Sequence, residues 1–194
     1  MNLVDRARNI LLQPKSEWQA IDAESHTVQD LYTGYVMVLA AIPAVCGFIG
    51  TSIVGTSFFG VSMRAPIGNG VAQLVLHYLL ALGSVYVMAL IIDALAPNFG
   101  SQKNFMQALK VSSFAPTAAW LGGVFSILAP LAILGLLAFL YTLYLLYLGL
   151  PVLMKTPEDK AIPYTVVVVI VMIVIVVIVG TIVALAMPGP LRGF

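Results

Sequence analysis

Residues 140–151 read LYTLYLLYLGLP, a run that is apolar enough to enter a lipid bilayer and yet carries three tyrosines. At about 100° per residue, Tyr141, Tyr144 and Tyr147 cover an arc of about 120° on a helix, and Pro151 falls inside that arc. A hydroxyl without a partner is costly in hydrocarbon. We therefore expect this tyrosine stripe to point into a bundle of helices. There the hydroxyls either bond to backbone carbonyls and polar groups of other spans, or line a cavity.

The composition of the whole chain places this stretch in a membrane protein. Of the 194 residues, 61% are hydrophobic and 9% are charged, and the mean hydropathy is +1.04; in soluble domains about a quarter of the residues are charged. The net charge is +1 and the basic residues are scattered, so the chain offers no surface for nucleic acid. The one cysteine, Cys46, excludes an intramolecular disulfide and a cysteine-based metal site.

Long apolar runs separated by loop residues predict an all-α integral membrane protein with a bundle of five transmembrane helices. Each run is close to the ~20 residues that cross a hydrocarbon core of ~30 Å. The predicted spans are residues 34–54, 71–95, 112–129, 131–153 and 164–187, within a membrane domain of residues 34–190. In the first span Gly47, Thr51 and Gly55 form a ridge of small residues that favours close helix packing. The fifth span is apolar all round, which predicts a peripheral position facing lipid.

Residues 1–33 cannot span a membrane, because they hold five of the eight acidic residues. Apolar residues at helical spacing predict a short amphipathic helix that Pro14 ends. Ser16 and Gln19 fit a capping box that starts a second short helix, with Trp18 at the depth of the lipid headgroups. We expect both helices to lie in the membrane interface with their apolar faces down. A partly disordered tail is the alternative.

The basic residues predict the orientation of the five spans. Five crossings put the two termini on opposite sides of the membrane. Arg64 and Arg192 then lie on one side, and the other seven basic residues lie on the side of the N-terminus. Because short cytoplasmic segments are rich in Lys and Arg, the N-terminus is predicted to be cytoplasmic and the C-terminus periplasmic or extracellular. The first 33 residues lack the pattern of a cleaved signal peptide.

The second predicted span is the most polar one. Gln73, His77 and Ser84 lie within about 40° of one another on a helix, so they share a face that should point into the bundle. A lone histidine beside a glutamine lacks the further ligands or the nucleophile that a metal site or a catalytic pair needs. We therefore favour a neutral His77 bonded inside the bundle over a functional His77. At the far end of the span, exposure at the interface and pairing with Lys103 or Lys110 explain Asp93.

No hydrolase, P-loop or dinucleotide motif is present in the sequence. We therefore predict that the protein is not an enzyme, with no catalytic residue and no cofactor or metal site.

Three short elements stand out together: Asp30-Leu31-Tyr32, the segment from Asp93 to Gly100, and the run from Tyr141 to Lys155. Together they resemble the Yip1-domain superfamily, in particular its bacterial inner-membrane branch. The resemblance covers about residues 10–183 and implies five spans with a cytoplasmic N-terminus, in a branch without an established activity. It also implies a cytoplasmic-face motif, for which the candidate residues are Asp30, Tyr32, Asp93, Pro97, Gly149, Pro151 and Lys155.

The leading functional prediction is a non-enzymatic scaffold or membrane-organising protein. Residues 1–33 and the two lysine-bearing loops would contact lipid headgroups or a protein partner, and a homo-oligomer is a further prediction. The alternative is a small channel or carrier lined by Gln73, His77, Ser84 and the tyrosine stripe. A water-filled cavity beside the fourth span would distinguish the two.

Overall fold

The computed structural model describes residues 2–58 and 61–186 of the chain. Three parts of the sequence predictions lie outside these residues: Met187 at the end of the fifth predicted span, residues 187–190 of the predicted membrane domain, and Arg192 of the charge count. Within the described residues the secondary structure is helical apart from one short hairpin, in which the strands β1 (Thr56–Phe58) and β2 (Val61–Met63) pair antiparallel. The α-helices are α1 (Leu3–Leu12), α2 (Pro14–Ala23), α3 (Val28–Leu31), α4 (Met37–Phe48), α5 (Ile67–Leu95), α6 (Phe105–Phe114), α7 (Thr117–Gly122), α8 (Ala132–Met154) and α9 (Glu158–Ala186).

Short π and 3-10 segments extend several of these helices. The π segment Tyr32–Val36 joins α3 to α4, and the π segment Ile49–Val54 extends α4. Together they form one continuous helix, Val28–Val54, which we call the α3–α4 segment. The 3-10 turn Ala96–Phe99 lengthens α5, and the 3-10 segment Gly123–Ile127 follows α7. We call Phe105–Ile127 the α6–α7 segment. A last 3-10 turn, Ala129–Leu131, leads into α8.

Four helices in the described part of the chain are long and apolar enough to cross a membrane: Val28–Val54, Ile67–Phe99, Ile133–Met154 and Glu158–Ala186. They correspond to the first, second, fourth and fifth predicted spans. The predicted third span, residues 112–129, is not among them, so the count of five spans is not confirmed. The helix is interrupted where α6 ends at Phe114 and α7 starts at Thr117. Pro116 lies in the break, and it has no N–H to give to the carbonyl of Ser112.

The polar loops meet at one end of the bundle. The backbone N–H of Gln102 donates to the carbonyl of Met154 (2.9 Å), and the Ser101 hydroxyl donates to that of Thr156 (2.8 Å). Lys155 pairs with Asp22 at the same end. We call this the charged end; the β1–β2 hairpin and Arg64 lie at the opposite end. The helix Ile67–Phe99 has 33 residues, or about 50 Å at ~1.5 Å per residue, and therefore extends beyond a hydrocarbon core of ~30 Å.

The N-terminal helices α1 and α2 form a hairpin that packs along α8, from the charged end, where Asp22 pairs with Lys155, to Tyr141, whose hydroxyl bonds to Leu11. Ile10, Trp18 and Ile21 are completely buried, so Trp18 contacts protein on all sides, and its position at headgroup depth stays a prediction. The predicted capping box is also absent, because Pro14 is itself the first residue of α2 and the Ser16 hydroxyl bonds to the carbonyl of Gln13. A proline suits this position, since its fixed φ fits the first helical turn.

Close packing between the long helices depends on other glycines than those of the predicted ridge. Gly47 has no atom of another element within 4 Å of where a Cβ would be, whereas a Cβ on Gly123 would lie 2.6 Å from Cβ of Pro43. Gly122 packs in the same way against Ala138, and Gly50 against the carbonyl of Ser126. The α6–α7 segment is therefore wedged between α4 and α8. The last helix, α9, is peripheral, since only 11% of the residues in its most apolar stretch are buried.

Candidate functional site

A buried ionic cluster holds the N-terminal hairpin together. The guanidinium of Arg6 on α1 donates to Glu17 on α2 (2.5 Å) and to both carboxylate oxygens of Glu24 (2.5 and 2.6 Å). The side chains of Arg6 and Glu17 are only 9% and 11% exposed. The Arg6 guanidinium also lies 5.8 Å from the ring centroid of Phe114 on α6, and His26 lies 2.9 Å from Glu24. Because these charges are paired inside the protein, they fix the angle between α1 and α2.

Partial burial raises the pKa of Glu24, but the hydrogen bonds and charges of Arg6 and His26 outweigh this effect. The pKa of the Glu24 carboxyl therefore lies below its ordinary value.

Lys110 joins α6 to the end of α2. Its ammonium donates to the carbonyls of Ile21 (2.9 Å), Asp22 (3.4 Å) and Glu24 (2.5 Å), and the residue is only 4% exposed. The last carbonyls of a helix have no partner within the helix, and a cation is favourable at that end. Burial lowers the pKa of Lys110, and the neighbouring carboxylates of Asp22 and Glu24 partly offset this effect. Asp93, its predicted partner, does not appear among its contacts.

Asp22 connects the hairpin to the loops of the charged end. Its carboxylate accepts from Gln107 on α6 (3.0 Å) and pairs with Lys155, which follows α8. Lys155 caps α8 in the left-handed conformation with φ of 51°, which is uncommon for a residue other than glycine. Lys155 is one of the residues of the predicted cytoplasmic-face motif, and its partner in the structure is Asp22.

The other motif residues have structural roles that the geometry explains. Asp30 and Thr27 form a capping box at the start of α3, in which each side chain accepts from the backbone N–H of the other. The Tyr32 hydroxyl donates to the carbonyl of Leu82 on α5 (2.9 Å). Pro97 is the second residue of the 3-10 turn after α5, and Gly100 closes that turn with φ of 65°, a conformation that favours glycine.

Two motif residues on α8 lie beside the N-terminal hairpin and the following loop. A Cβ on Gly149 would overlap the indole ring of Trp18, so the absence of a side chain makes room for α2. Pro151 lies inside the last turns of α8, and its carbonyl accepts from Thr156 in the loop (3.1 Å). Asp93, a further motif residue, lies near the end of α5; its Oδ1 is buried and accepts no hydrogen bond from a described residue.

The structure corrects the prediction that all three tyrosines of residues 140–151 lie inside the bundle. Tyr141 is partly buried and donates to the carbonyl of Leu11 on α1 (2.7 Å). Tyr144 and Tyr147 are 42% and 45% exposed. The reason is that α1 and α2 cover only one side of α8. The stripe therefore runs along the edge of the contact with the hairpin, and its outer part faces away from the protein.

The second group of predicted interior residues is not assembled into one site. Gln73, His77 and Ser84 are each partly buried on α5. A cavity of about 180 Å³ does lie beside α8, and it is lined by α5, α6, α7, α8, α9 and the break at Pro116. Of the six residues proposed as bundle-interior positions, only Ser84 lines it. In the described part of the chain, no group of three His, Cys, Asp or Glu side chains could hold a metal ion.

Arg6 and Lys110 have roles at the charged end that their sequence context did not predict. Both were counted among the seven basic residues on the side of the N-terminus, and Lys110 was also a predicted partner for Asp93. One signal was available: Arg6 lies next to the apolar positions Ala7 and Ile10 in the helical pattern. Lys110 gave none, because its partners are backbone carbonyls about 90 residues away in the chain, brought near only by folding.

Together these features define a multi-span helical membrane protein whose N-terminal segment is docked by buried ion pairs. The Yip1 domain matches residues 8–179, and the chain belongs to that family. It is 31% identical over 115 residues to inner membrane protein YohC of Escherichia coli K12, and to the protein of the same name from E. coli O6:H1. Each match covers 59% of this chain and 59% of the relative. No solved structure matches the chain.

Proposed function

We propose that this protein is a non-enzymatic organising protein or scaffold of a bacterial inner membrane, and that its charged end is the working surface. The inner-membrane location is supported by the relatives named YohC. The carrying observation is that the N-terminal hairpin is docked by buried ion pairs rather than left as a mobile tail. Such a hairpin presents a rigid surface, and a rigid surface binds a partner at a lower entropic cost.

The outward face of α1 is suited to the membrane surface. Val4, Arg8 and Leu12 follow one another at four-residue spacing, and Val4 and Leu12 are 69% and 68% exposed. Arg8 is also exposed. A stripe that combines apolar side chains with a cation favours contact with the interface of an anionic bilayer. This stripe supports lipid headgroups as the first partner of the charged end; a protein partner and a homo-oligomer remain further proposals.

We also propose that the chain crosses the membrane five times with a cytoplasmic N-terminus, the α6–α7 segment being the interrupted third crossing. Thr117 bonds to Tyr35 (2.7 Å), Gly123 packs on Pro43, and Ser126 lies against Gly50. These contacts support a path alongside α4 from the charged end to the opposite end. The excess of basic residues at the charged end supports its cytoplasmic position.

The test of the working surface uses charge reversal on α1 and α2. The double variant Arg8→Glu, Lys15→Glu is compared with Arg64→Glu at the opposite end, and anionic phospholipid that co-purifies with each protein is quantified. We expect enrichment of anionic lipid with the original protein and with Arg64→Glu, and its loss in the double variant. Equal lipid composition in all three would contradict headgroup binding.

The channel or carrier prediction is tested by solute flux in vesicles reconstituted with the protein. If the original protein conducted a solute and the His77→Ala variant did not, a channel or carrier would take the place of the scaffold proposal.

A further inference from the structure

The cavity beside α8 lies against the middle stretches of the long helices α5, α8 and α9. It is bounded by α5, α8 and α9, each long and apolar enough to cross a bilayer, and by the break between α6 and α7. Apart from three hydroxyls and the indole N–H of Trp120, the side chains of its walls are apolar, and they include Phe139 and Met172. We propose that this cavity is a binding site for one hydrocarbon chain of a membrane lipid. This inference goes beyond the proposed function, which concerns the charged end.

The three hydroxyls of the cavity do not suit a polar occupant, because their protons are already donated. Ser84 donates to the carbonyl of Ala81 (2.8 Å), Ser112 to that of Leu109 (3.1 Å), and Thr142 to that of Ala138 (3.3 Å). Thr142 in addition accepts from the N–H of Ala119 (3.1 Å). A buried water makes about three hydrogen bonds, and with these three protons already donated the indole N–H of Trp120 is the remaining side-chain donor of the lining. The lining therefore favours an apolar occupant.

The cavity is reached from the side of α9. Val176 lines the cavity and is also 52% exposed, so the wall formed by α9 extends to the outer surface of the protein. In a bilayer that surface is covered by lipid chains, and a chain can enter without passing through water. An apolar void leaves its lining atoms without dispersion partners, and the methylenes of a chain restore those contacts.

The two tryptophans of the chain allow a direct test. Trp120 lines the cavity, whereas Trp18 is completely buried between α2 and α8. The Trp18→Phe variant reports only on Trp120, and the Trp120→Phe variant reports only on Trp18. Each full-length variant is reconstituted into phosphatidylcholine vesicles with acyl chains brominated near their middle, because bromine quenches indole fluorescence on contact. We expect the loss of most of the Trp120 emission and little loss of the Trp18 emission.

Variants with a filled cavity distinguish quenching by a lipid chain inside the cavity from quenching by lipid at the protein surface. In the Trp18→Phe background, Ala119→Leu adds a side chain to the cavity wall, and Ser84→Leu does so from the opposite wall. Val174→Leu changes an exposed position of α9 (49% exposed) and serves as the control. We expect the two filling variants to recover Trp120 emission in brominated lipid and the control to remain quenched. Variants that elute as a single species and unfold cooperatively are compared.

Three results would overturn the proposal. The first is Trp120 emission that brominated chains leave unchanged. The second is equal quenching in the original cavity and in either folded filling variant. The third is quenching of Trp120 by aqueous iodide but not by brominated chains, which would show that the cavity holds water and would favour the channel or carrier alternative.

Discussion

Tyrosine hydroxyls act as cross-links between helices in this protein. Five of the eight tyrosines bond to an atom of another element at distances of 2.5–2.9 Å: Tyr32 to Leu82, Tyr35 to Thr117, Tyr78 to Met37, Tyr141 to Leu11 and Tyr164 to Ile92. In four of these pairs the acceptor is a backbone carbonyl. A hydroxyl inside an apolar bundle needs a partner, and these bonds supply one while fixing the register between helices.

Gly149 makes room for Trp18, which gives a prediction at a single residue. Gly149→Ala places a methyl group in the space occupied by the indole ring of Trp18. Overpacking of this kind lowers the free energy of unfolding by about 1–3 kcal/mol. Gly135→Ala is the matched control, because it lies on the same helix with nothing within 4 Å of the added Cβ. There the better helix propensity of alanine contributes up to about 1 kcal/mol of stability. Thermal unfolding in detergent should show a lower midpoint for Gly149→Ala only, and equal midpoints would contradict the contact.

At the scale of elements, the α1–α2 hairpin is attached through charges as well as through the buried Ile10, Trp18 and Ile21, whereas the long helices are held mainly by apolar packing. Arg6 links α1 to α2, Lys110 links α2 to α6, and Lys155 links α2 to the end of α8. Removing one partner of a buried ion pair is strongly destabilising, because the other charge stays buried without compensation. The attachment of the hairpin is therefore more sensitive to single charge changes than the bundle is.

The contribution of Lys110 can be measured by removing its charge. Lys110→Met leaves the carbonyls of Ile21 and Glu24 without their donor, and a charge-assisted hydrogen bond contributes about 1.5–3 kcal/mol. We expect faster cleavage of residues 1–27 by a protease added to the solubilised protein. Lys103→Met is the control, because Lys103 is exposed. If both variants were cleaved as slowly as the original protein, Lys110 would not hold the hairpin.

The attachment of the hairpin should depend on pH through Glu24. Its pKa is lower in the folded protein than in the unfolded chain, so its contribution is present above the unfolded pKa and is lost as the pH falls through the folded pKa. The charged groups that face Glu24 are Arg6 of α1, His26 of its own segment and the Lys110 ammonium of α6.

As the pH falls through the folded pKa of Glu24, we expect the α1 and α2 amides to lose protection against hydrogen exchange, measured relative to their intrinsic exchange rates at each pH. Glu24→Gln should flatten the profile, whereas Glu158→Gln, at an exposed position, should not. An unchanged profile in Glu24→Gln would assign the effect to another group.

For the whole molecule, the connection between α5 and α8 decides the number of crossings. Gln102 and Met154 are hydrogen bonded, so the loop after α5 and the end of α8 lie at the same end of the bundle. The start of α8 is therefore at the opposite end, since α8 is 23 residues long. The chain between residues 102 and 132 must return across the bundle, which supports the interrupted third crossing.

Labelling of single cysteines by a membrane-impermeant maleimide tests this path. In a Cys46→Ser background, Lys103→Cys and Glu158→Cys are compared with Arg64→Cys and Leu128→Cys. We expect the first two to react from the cytoplasmic side and the last two from the other side. Reaction of Leu128→Cys from the same side as Lys103→Cys would show that the α6–α7 segment does not cross.

The sequence by itself determined that this is a helical membrane protein, where four of its long helices lie, and to which family it belongs. These conclusions depend on length, hydropathy and local motifs, which are properties of consecutive residues. It also indicated that α9 is peripheral, because a helix without a polar face needs no protein neighbour.

Only the tertiary structure decided which side chains meet. The break at Pro116 depends on packing against α4 and α8, because a proline in an apolar run is compatible with either a kinked or an interrupted helix. The burial of Trp18 depends on Gly149, which lies more than 100 residues away in the chain. The exposure of Tyr144 and Tyr147 follows from the hairpin covering only one side of α8. Helical periodicity defines a face, but the neighbours of that face are set by the path of the whole chain.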